Sequence, residues 1–395
     1  MKKKNRKFKK IVQPVPRAPK IRSGMASIKV VGVGGGGGNA VTRMMEDGRI
    51  KGVEFIAINT DAQDLNYATA HKKLYIGKAL TRGLGAGMNP EIGKQAAEEN
   101  RSEISEALEG ADIVFITAGF GGGTGSGAAP VIAEAAREKG ILTVAIVTKP
   151  FSFEGAERSK IAQEALGRIK DKVDALVIIP NDRVFSLISK DTSVSKAFGF
   201  VDDVLKQGVQ AIAELINFPG IINVDFSDIR AIIKDAGTTH IGIGIASGGD
   251  RSIKAVNSAI NSPLLEYAID GAKRVLFSVA GGRDLKMSEV NDVAKAISAN
   301  LDSNAKVIFG AYYDRQLKDK SLKVTLIASG FNGIFNNGRL SNTLFVETEP
   351  ANEEIEIKLS GDTPTKSLRE EKSKKGVPQK SDSWEIPAFL RKKHR

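Results

Sequence analysis

The sequence predicts an α/β protein: a doubly wound parallel sheet, a long central helix, and a second, smaller α+β domain. Three observations predict it. From Ser27 onward short apolar runs alternate with helical patterns, most runs are apolar on both faces, and one apolar stripe at spacings of three and four extends over residues 193–217. Strands buried on both faces and separated by helices belong to parallel sheets covered by helices on each side.

The first strand reads over residues 28–33, followed by a glycine loop and a helix from about Asn39. A second strand covers 53–59. A helical stretch over 90–108 leads to a strand at 113–118, and strands at 142–147 and 175–179 each follow a helix. Together these form a domain over residues 24–192. In the next segment, 193–220, Val194, Phe198, Val201, Leu205, Val209, Ile212 and Leu215 line one helix face. At ~1.5 Å per residue this helix is about 35 Å long, enough to cross a domain. Phe218-Pro219-Gly220 ends it. Residues 221–331 carry strands at 242–246, 274–279, 307–311 and 323–328 with helices between the first three, an α+β arrangement. Residues 332–383 are polar and lack apolar periodicity, and read as a disordered linker.

Composition narrows the function. A chain of 395 residues with 41% apolar and 26% charged residues is ordinary globular material. The absence of Cys excludes disulfides, thiolate metal sites and Cys nucleophiles. No apolar run approaches the ~20 residues of a membrane-spanning helix, and residues 1–22 have no apolar stretch of a secretory signal. The expectation is a soluble, cytoplasmic protein. Its net charge of +12 is terminal: ten basic residues and no acid lie in 1–22, and Arg391, Lys392, Lys393 and Arg395 add four more. The body between them is slightly acidic, so no specific nucleic acid is expected as partner. Residues 1–23 read as a basic disordered tail. Residues 384–395 place Trp384, Ile386, Pro387, Phe389 and Leu390 beyond the linker and before a basic end, a pattern that suits a short peptide docking into a partner's groove.

Chemistry is concentrated in glycine. Gly32-Val33-Gly34-Gly35-Gly36-Gly37-Gly38-Asn39 follows a strand and opens a helix, where backbone N–H groups converge on an anion. Alone, it also satisfies Gly-x-Gly-x-x-Gly, with Asp61 past the next strand as a ribose-binding acid. A second run, Gly121-Gly122-Gly123-Thr124-Gly125-Ser126-Gly127, repeats the strand-to-helix setting. Two such turns on one sheet wrap a polyphosphate from two sides, where a dinucleotide site needs one. A P-loop is excluded, because Gly77-Lys78 and Gly93-Lys94 are followed by Ala79 and Gln95.

With these runs, Gly83-Leu84-Gly85-Ala86-Gly87-Met88-Asn89-Pro90, Pro150-Phe151-Ser152-Phe153-Glu154, Pro180-Asn181-Asp182-Arg183, Asn223-Val224-Asp225-Phe226-Ser227-Asp228 and Ile386-Pro387-Ala388-Phe389-Leu390 stand in an order that resembles the FtsZ family of bacterial tubulin-like cell-division GTPases. The resemblance covers about 27–330 and resumes at 384–391. It implies a Rossmann-like, tubulin-type GTPase domain that binds GTP/GDP with Mg2+ and converts GTP to GDP and phosphate on polymerising. It further implies head-to-tail filaments of this chain forming the division ring at mid-cell, tethered to membrane and regulatory division proteins through the C-terminal peptide and its basic end.

Carried over residue by residue, Gly35, Gly36, Gly37, Gly38 and Asn39 with Gly123, Thr124 and Gly125 would hold the phosphates. Ala86, Gly87 and Met88 would lie near the γ-phosphate, although Met88 stands where a small residue is usual. Glu154 and Arg158 would contact the ribose, Asn181 and Asp202 would read the guanine edge, and Phe198 would stack on the base. Asn223, Asp225 and Asp228 would act catalytically on nucleotide held by the next subunit, with a cation beside the two acids. The protein otherwise offers no metal ligands, and Mg2+ would sit on the GTP phosphates. Read without the resemblance, Phe198 belongs to the apolar stripe and Asp225 with Asp228 forms a helix cap. Two other function classes remain open at this point: an NAD-dependent Rossmann oxidoreductase, and a GTP-binding filament scaffold with negligible turnover.

Overall fold

Alternation of strand and helix produces the expected parallel sheet, extended by a half of mixed parallel and antiparallel pairing. The computed structural model describes residues 26–331 apart from 49, 187, 190, 218, 219, 263–268 and 315–316. The basic tail, the linker and the peptide carrying Trp384, Ile386, Pro387, Phe389 and Leu390 lie outside the described residues.

In chain order the elements are β1 (Ile28–Val33), α1 (Gly34–Asp47), β2 (Val53–Asn59), α2 (Ala62–Tyr67), β3 (Lys72–Tyr75), α3 (Lys78–Thr81), α4 (Pro90–Glu99), α5 (Arg101–Leu108), β4 (Ile113–Gly119), α6 (Thr124–Glu138), β5 (Leu142–Lys149), α7 (Ala156–Ile169), β6 (Ala175–Pro180), α8 (Val194–Asn217), α9 (Phe226–Ile233), β7 (Gly237–Ser247), α10 (Arg251–Ile260), β8 (Ala272–Gly281), α11 (Met287–Ser298), β9 (Leu301–Tyr313) and β10 (Ser321–Ser329). The strand order is β3-β2-β1-β4-β5-β6-β7-β10-β8-β9. Through β6 every pairing is parallel. Beyond β7, β10 runs antiparallel to both β7 and β8. The halves meet where Ala175 and Leu176 of β6 pair with Gly237 and Thr238 of β7.

The sheet separates two cores. Val31, Val33, Ile116 and Val147 face one side with Ala96, Ile104, Ile132 and Leu166 from α4 to α7. On the other side Val30, Phe115 and Ile146 pack with Met44 of α1, Val209 and Ile212 of α8, and Ile229 and Ile232 of α9. Leu276 of β8 and Ile327 of β10 join this second core, so α8 is shared between the two halves. Side chains of α10 and α11 cover the opposite face of the mixed half. From Val201 onward the apolar stripe read in the sequence is the face α8 buries, whereas Val194 and Phe198 at its start are exposed.

Three local differences from the sequence reading have identifiable causes. Helix α1 begins at Gly34, five residues before the expected Asn39. Glycine disfavours helix, but a Cβ on Gly37 would lie 2.4 Å from the Thr117 oxygen, and packing against β4 overrides propensity. The helical stretch over 90–108 divides at Asn100, whose Oδ1 accepts the Gly77 N–H at 2.8 Å. The short elements α2, β3 and α3 carry too few residues for a readable period.

Candidate functional site

Strands β1 and β4 are neighbours whose connections leave in opposite directions along the sheet, the switch point where α/β sheets open a crevice beyond their carboxyl ends. Both glycine runs lie there. Helix α1 starts directly after β1, and α6 starts at Thr124, shortly past the end of β4 at Gly119. The two helix starts touch: a Cβ on Gly34, which has φ of 70°, would come within 3.0 Å of the Gly125 nitrogen. Neither α1, preceded by Val33, nor α6, preceded by Gly123, has a side-chain cap or an acid in its first turn. Their first backbone N–H groups and positive dipole ends therefore converge on one place without an internal acceptor.

Around this cradle, Gly35, Gly36 and Asn39 are exposed while Gly37 and Gly38 are buried. Thr124 shares a 2.6 Å hydrogen bond between hydroxyls with Thr60 at the end of β2. The 82–89 loop closes over the second turn, with the Gly123 N–H donating to the Gly87 oxygen at 2.8 Å. Ala86 is buried there, and Gly87 and Met88 are exposed.

Beyond β5 and β6 lie the remaining candidates. Glu154 Oε1 accepts the Phe151 N–H at 2.9 Å, and its Oε2 pairs with Arg158 Nη1 at 2.9 Å. The backbone of Arg158 abuts Gly121, which places this pair beside the second glycine turn. Asn181 follows β6 and is buried, and its Oδ1 has no hydrogen-bond partner, an arrangement that leaves an acceptor ready for a ligand donor. On α8, Phe198 is 42% exposed and meets buried Phe151 edge-on at 5.3 Å. One turn later Asp202 pairs with Arg43 of α1 at 3.3 Å. Burial pushes the Asp202 carboxyl up to about 6, against the opposing pull of Arg43. Arg43 and Thr60 were not read from the sequence. Arg43 carried a signal, since it lies four residues after Asn39 on the same helix face.

Asn223, Asp225 and Asp228 stand elsewhere. Asp225 caps α9, its Oδ1 accepting the Asp228 N–H at 2.7 Å, and Asn223 Oδ1 accepts the Gly220 N–H at 2.6 Å. Arg230 of α9 donates to the oxygen of Gly140, just before β5, and the Ala236 N–H donates to the oxygen of Asp174, just before β6. Helix α9 therefore sits where the parallel strands begin, and the glycine turns where they end, with roughly 20 Å of strand between. The two groups are not brought together within one molecule.

Asp61, which the sequence offered as a ribose-binding acid, caps α2, its Oδ1 accepting the Gln63 and Asp64 N–H groups. Among the described residues there is no group of three or more His, Asp or Glu placed to hold a metal. None of their helices is long and apolar enough to cross a membrane.

Comparison with known proteins identifies this geometry. The tubulin/FtsZ family GTPase-domain model matches residues 27–189, and the FtsZ family C-terminal-domain model matches 237–332. FtsZ from M. jannaschii, solved as an empty dimer, is 47% identical with a TM-score of 0.73, over 77% of this chain and 88% of that one. A point mutant of the same M. jannaschii protein agrees at 47% identity and TM-score 0.73, over 78% and 92%. CetZ2 from Haloferax volcanii, solved as a GTPγS-bound protofilament, shares the fold at 22% identity and TM-score 0.65, over 77% and 93%. With its crevice between β1 and β4 and both domains matched in order, the chain belongs to the tubulin/FtsZ family and is a GTPase of the FtsZ kind.

Proposed function

We propose that this protein stacks head to tail into filaments and hydrolyses GTP at a site completed between adjacent subunits. The observation that carries the reading is the separation of the glycine cradle from Asp225 and Asp228 at opposite ends of the strands. One molecule cannot bring them together, whereas stacking end on end presents α9 of one subunit to the cradle of the next. Such a contact is heterologous and does not close, so it extends into a filament. The dimer and protofilament in which the related proteins were solved accord with this.

In this reading Gly35 to Asn39 and Gly123 to Gly125 bind phosphate through backbone N–H groups, and Ala86, Gly87 and Met88 border the γ-phosphate. A Cβ on Gly125 would lie 2.6 Å from the Gly119 oxygen, so the turn's shape depends on glycine. Glu154 and Arg158 meet the ribose, and Phe198 stacks on the base. The ionised Asp202 accepts from guanine N1–H and its amino group, a pairing adenine cannot return. The partnerless Asn181 Oδ1 fits the same role. Mg2+ would be held by triphosphate oxygens with few protein ligands, and would neutralise charge on the phosphoryl group. Phosphoryl transfer requires positioning above all. The cap bond fixes the Asp225 carboxylate, and Asp228 in the same first turn joins it to orient the attacking water, with Asn223 completing the surface.

Assembly would then switch hydrolysis on, in a cytoplasmic ring at mid-cell that drives septation. Trp384, Ile386, Pro387, Phe389 and Leu390 with the basic end would link the filament to membrane-tethering and regulatory division proteins. Phosphate release and light scattering measured together against protein concentration test the shared site. Activity per molecule rises as filaments appear; constant activity at all concentrations would overturn the proposal.

A further inference from the structure

A buried acid–base–phenol cluster ties α8 to strands β9 and β10 of the mixed half. Glu214 and Lys323 are each less than a tenth exposed, and Lys323 Nζ lies 2.6 Å from Glu214 Oε2. The Tyr312 hydroxyl donates to the same oxygen at 2.8 Å, and Gln210 Nε2 donates to Oε1 at 2.5 Å. Asp314 stands 3.4 Å from the Lys323 ammonium. Burial and the charge of Glu214 push the Tyr312 phenol's ionisation far up, so it remains a donor. Buried ion pairs stabilise folds poorly compared with apolar packing. A role in placement explains the cluster better than one in stability.

What it places follows from the strand. Immediately before Tyr312, the Ala311 oxygen accepts the N–H groups of Ile221 at 2.6 Å and Ile222 at 3.0 Å, and the Ala311 N–H donates to the Ile222 oxygen at 3.1 Å. Gly310 and Tyr312 share a face of β9. A Cβ on Gly310 would lie 2.9 Å from Val224 Cγ2, and one on Gly220 would lie 2.7 Å from the Ile222 oxygen. Residues 220–224 are thus moulded onto the end of β9, and Asn223 and Asp225 lie in or directly after that segment.

We propose that Tyr312, held by Glu214 and Lys323, is a positioning residue for hydrolysis. It anchors the end of β9 to α8, and through Ala311 it fixes where Asn223, Asp225 and Asp228 stand toward the neighbouring subunit's nucleotide. This rests on the shared-site reading above.

The test is Tyr312→Phe in the full chain, which removes the hydroxyl and keeps the ring. Hydrogen exchange at the Ile221 and Ile222 amides should accelerate about tenfold, and phosphate release per assembled subunit should fall about tenfold, with GTP affinity unchanged. Gln210→Leu, which removes the amide donor to Glu214 Oε1 and leaves the buried ion pair intact, should show the same pattern at smaller size, and it carries the test should Tyr312→Phe fold poorly. Unchanged exchange, or faster exchange with unchanged turnover, would overturn the positioning role. So would a rate that falls only in step with GTP affinity. The shared-site reading fails by a different result, full turnover in Asp228→Ala, whatever the exchange shows.

Discussion

Arg43 of α1 and Asp202 of α8 stand 3.3 Å apart, yet burial outweighs the guanidinium and holds the Asp202 carboxyl at about 6. A base-reading carboxylate must be ionised to accept guanine's N–H groups. The raised value keeps the proton on Asp202 to higher pH than in an exposed acid, so in the proposed base-reading role affinity should be complete above about pH 7 and lost as pH falls through about 6. A fluorescent GTP analogue titrated from about pH 5 to 8 should show affinity dropping toward about tenfold per unit below about pH 6. Asp202→Asn should bind weakly with a flat profile, and Arg43→Met should move the fall to higher pH. A flat wild-type profile would remove Asp202 from base recognition.

In its proposed base-reading role Asn181 would separate binding from folding. Its Oδ1 is buried without a partner, a standing cost to the empty protein. Asn181→Ala should therefore leave the stability within about 1 kcal/mol of wild type while GTP affinity falls by roughly tenfold or more. Equal losses of both would show Asn181 to be a structural residue.

Asp225 and Asp228 differ in their structural duties. Asp225 caps α9, so Asp225→Ala should cost about 1 kcal/mol of stability and, in the proposed catalytic role, turnover as well. Asp228 contributes its backbone N–H to that cap and its side chain to none of it. Asp228→Ala should fold and bind GTP as wild type and lose about a hundredfold or more in phosphate release. Reduced GTP affinity matching the reduced rate would point to damage of the fold.

The fold and the site were legible to different degrees, for physical reasons. Long strands buried on both faces and the stripe on α8 left strong periodicity, and both glycine runs announced their turns. The packing within those runs left none. Gly127 looks like any other glycine of its motif, yet a Cβ there would lie 2.0 Å from the Pro90 oxygen at the crossing of α4 and α6, whereas one on Gly122 meets nothing within 4 Å. Arg43, Thr60 and the Tyr312 cluster act through partners far along the chain, which no local window contains. That Asp225 lies at the far end of the strands from the cradle likewise follows from topology and not from spacing.

These two glycines give a direct comparison. Gly127→Ala should destabilise by roughly 2 kcal/mol or more through overpacking, and Gly122→Ala by less than about 0.5 kcal/mol. Chemical denaturation of the GDP-bound variants measures both, and similar midpoints would show that the helix crossing yields freely.

Burial holds the imidazole of His240 down to about 4, edge-on to Phe331 at 4.5 Å. The unfolded chain takes up this proton near pH 6.5, whereas the fold resists it until about 4. Its contribution to stability is therefore whole above 6.5 and is lost as pH falls from 6.5 to about 4. Against His240→Leu, wild type should lose up to about 3 kcal/mol of relative stability over that window. Parallel pH profiles for the two proteins would mean that His240 titrates as it does in water.

In the proposed filament, the placement of the glycine cradle and of α9 at opposite ends of the strands would also fix how many hydrolysis events can occur. A stack of n subunits contains n − 1 junctions, and the subunit at one end holds GTP that no α9 faces. That terminal nucleotide would persist while those behind it are spent, so the two ends of such a filament would differ chemically from the moment it forms. Short filaments would then carry proportionally more unspent GTP than long ones.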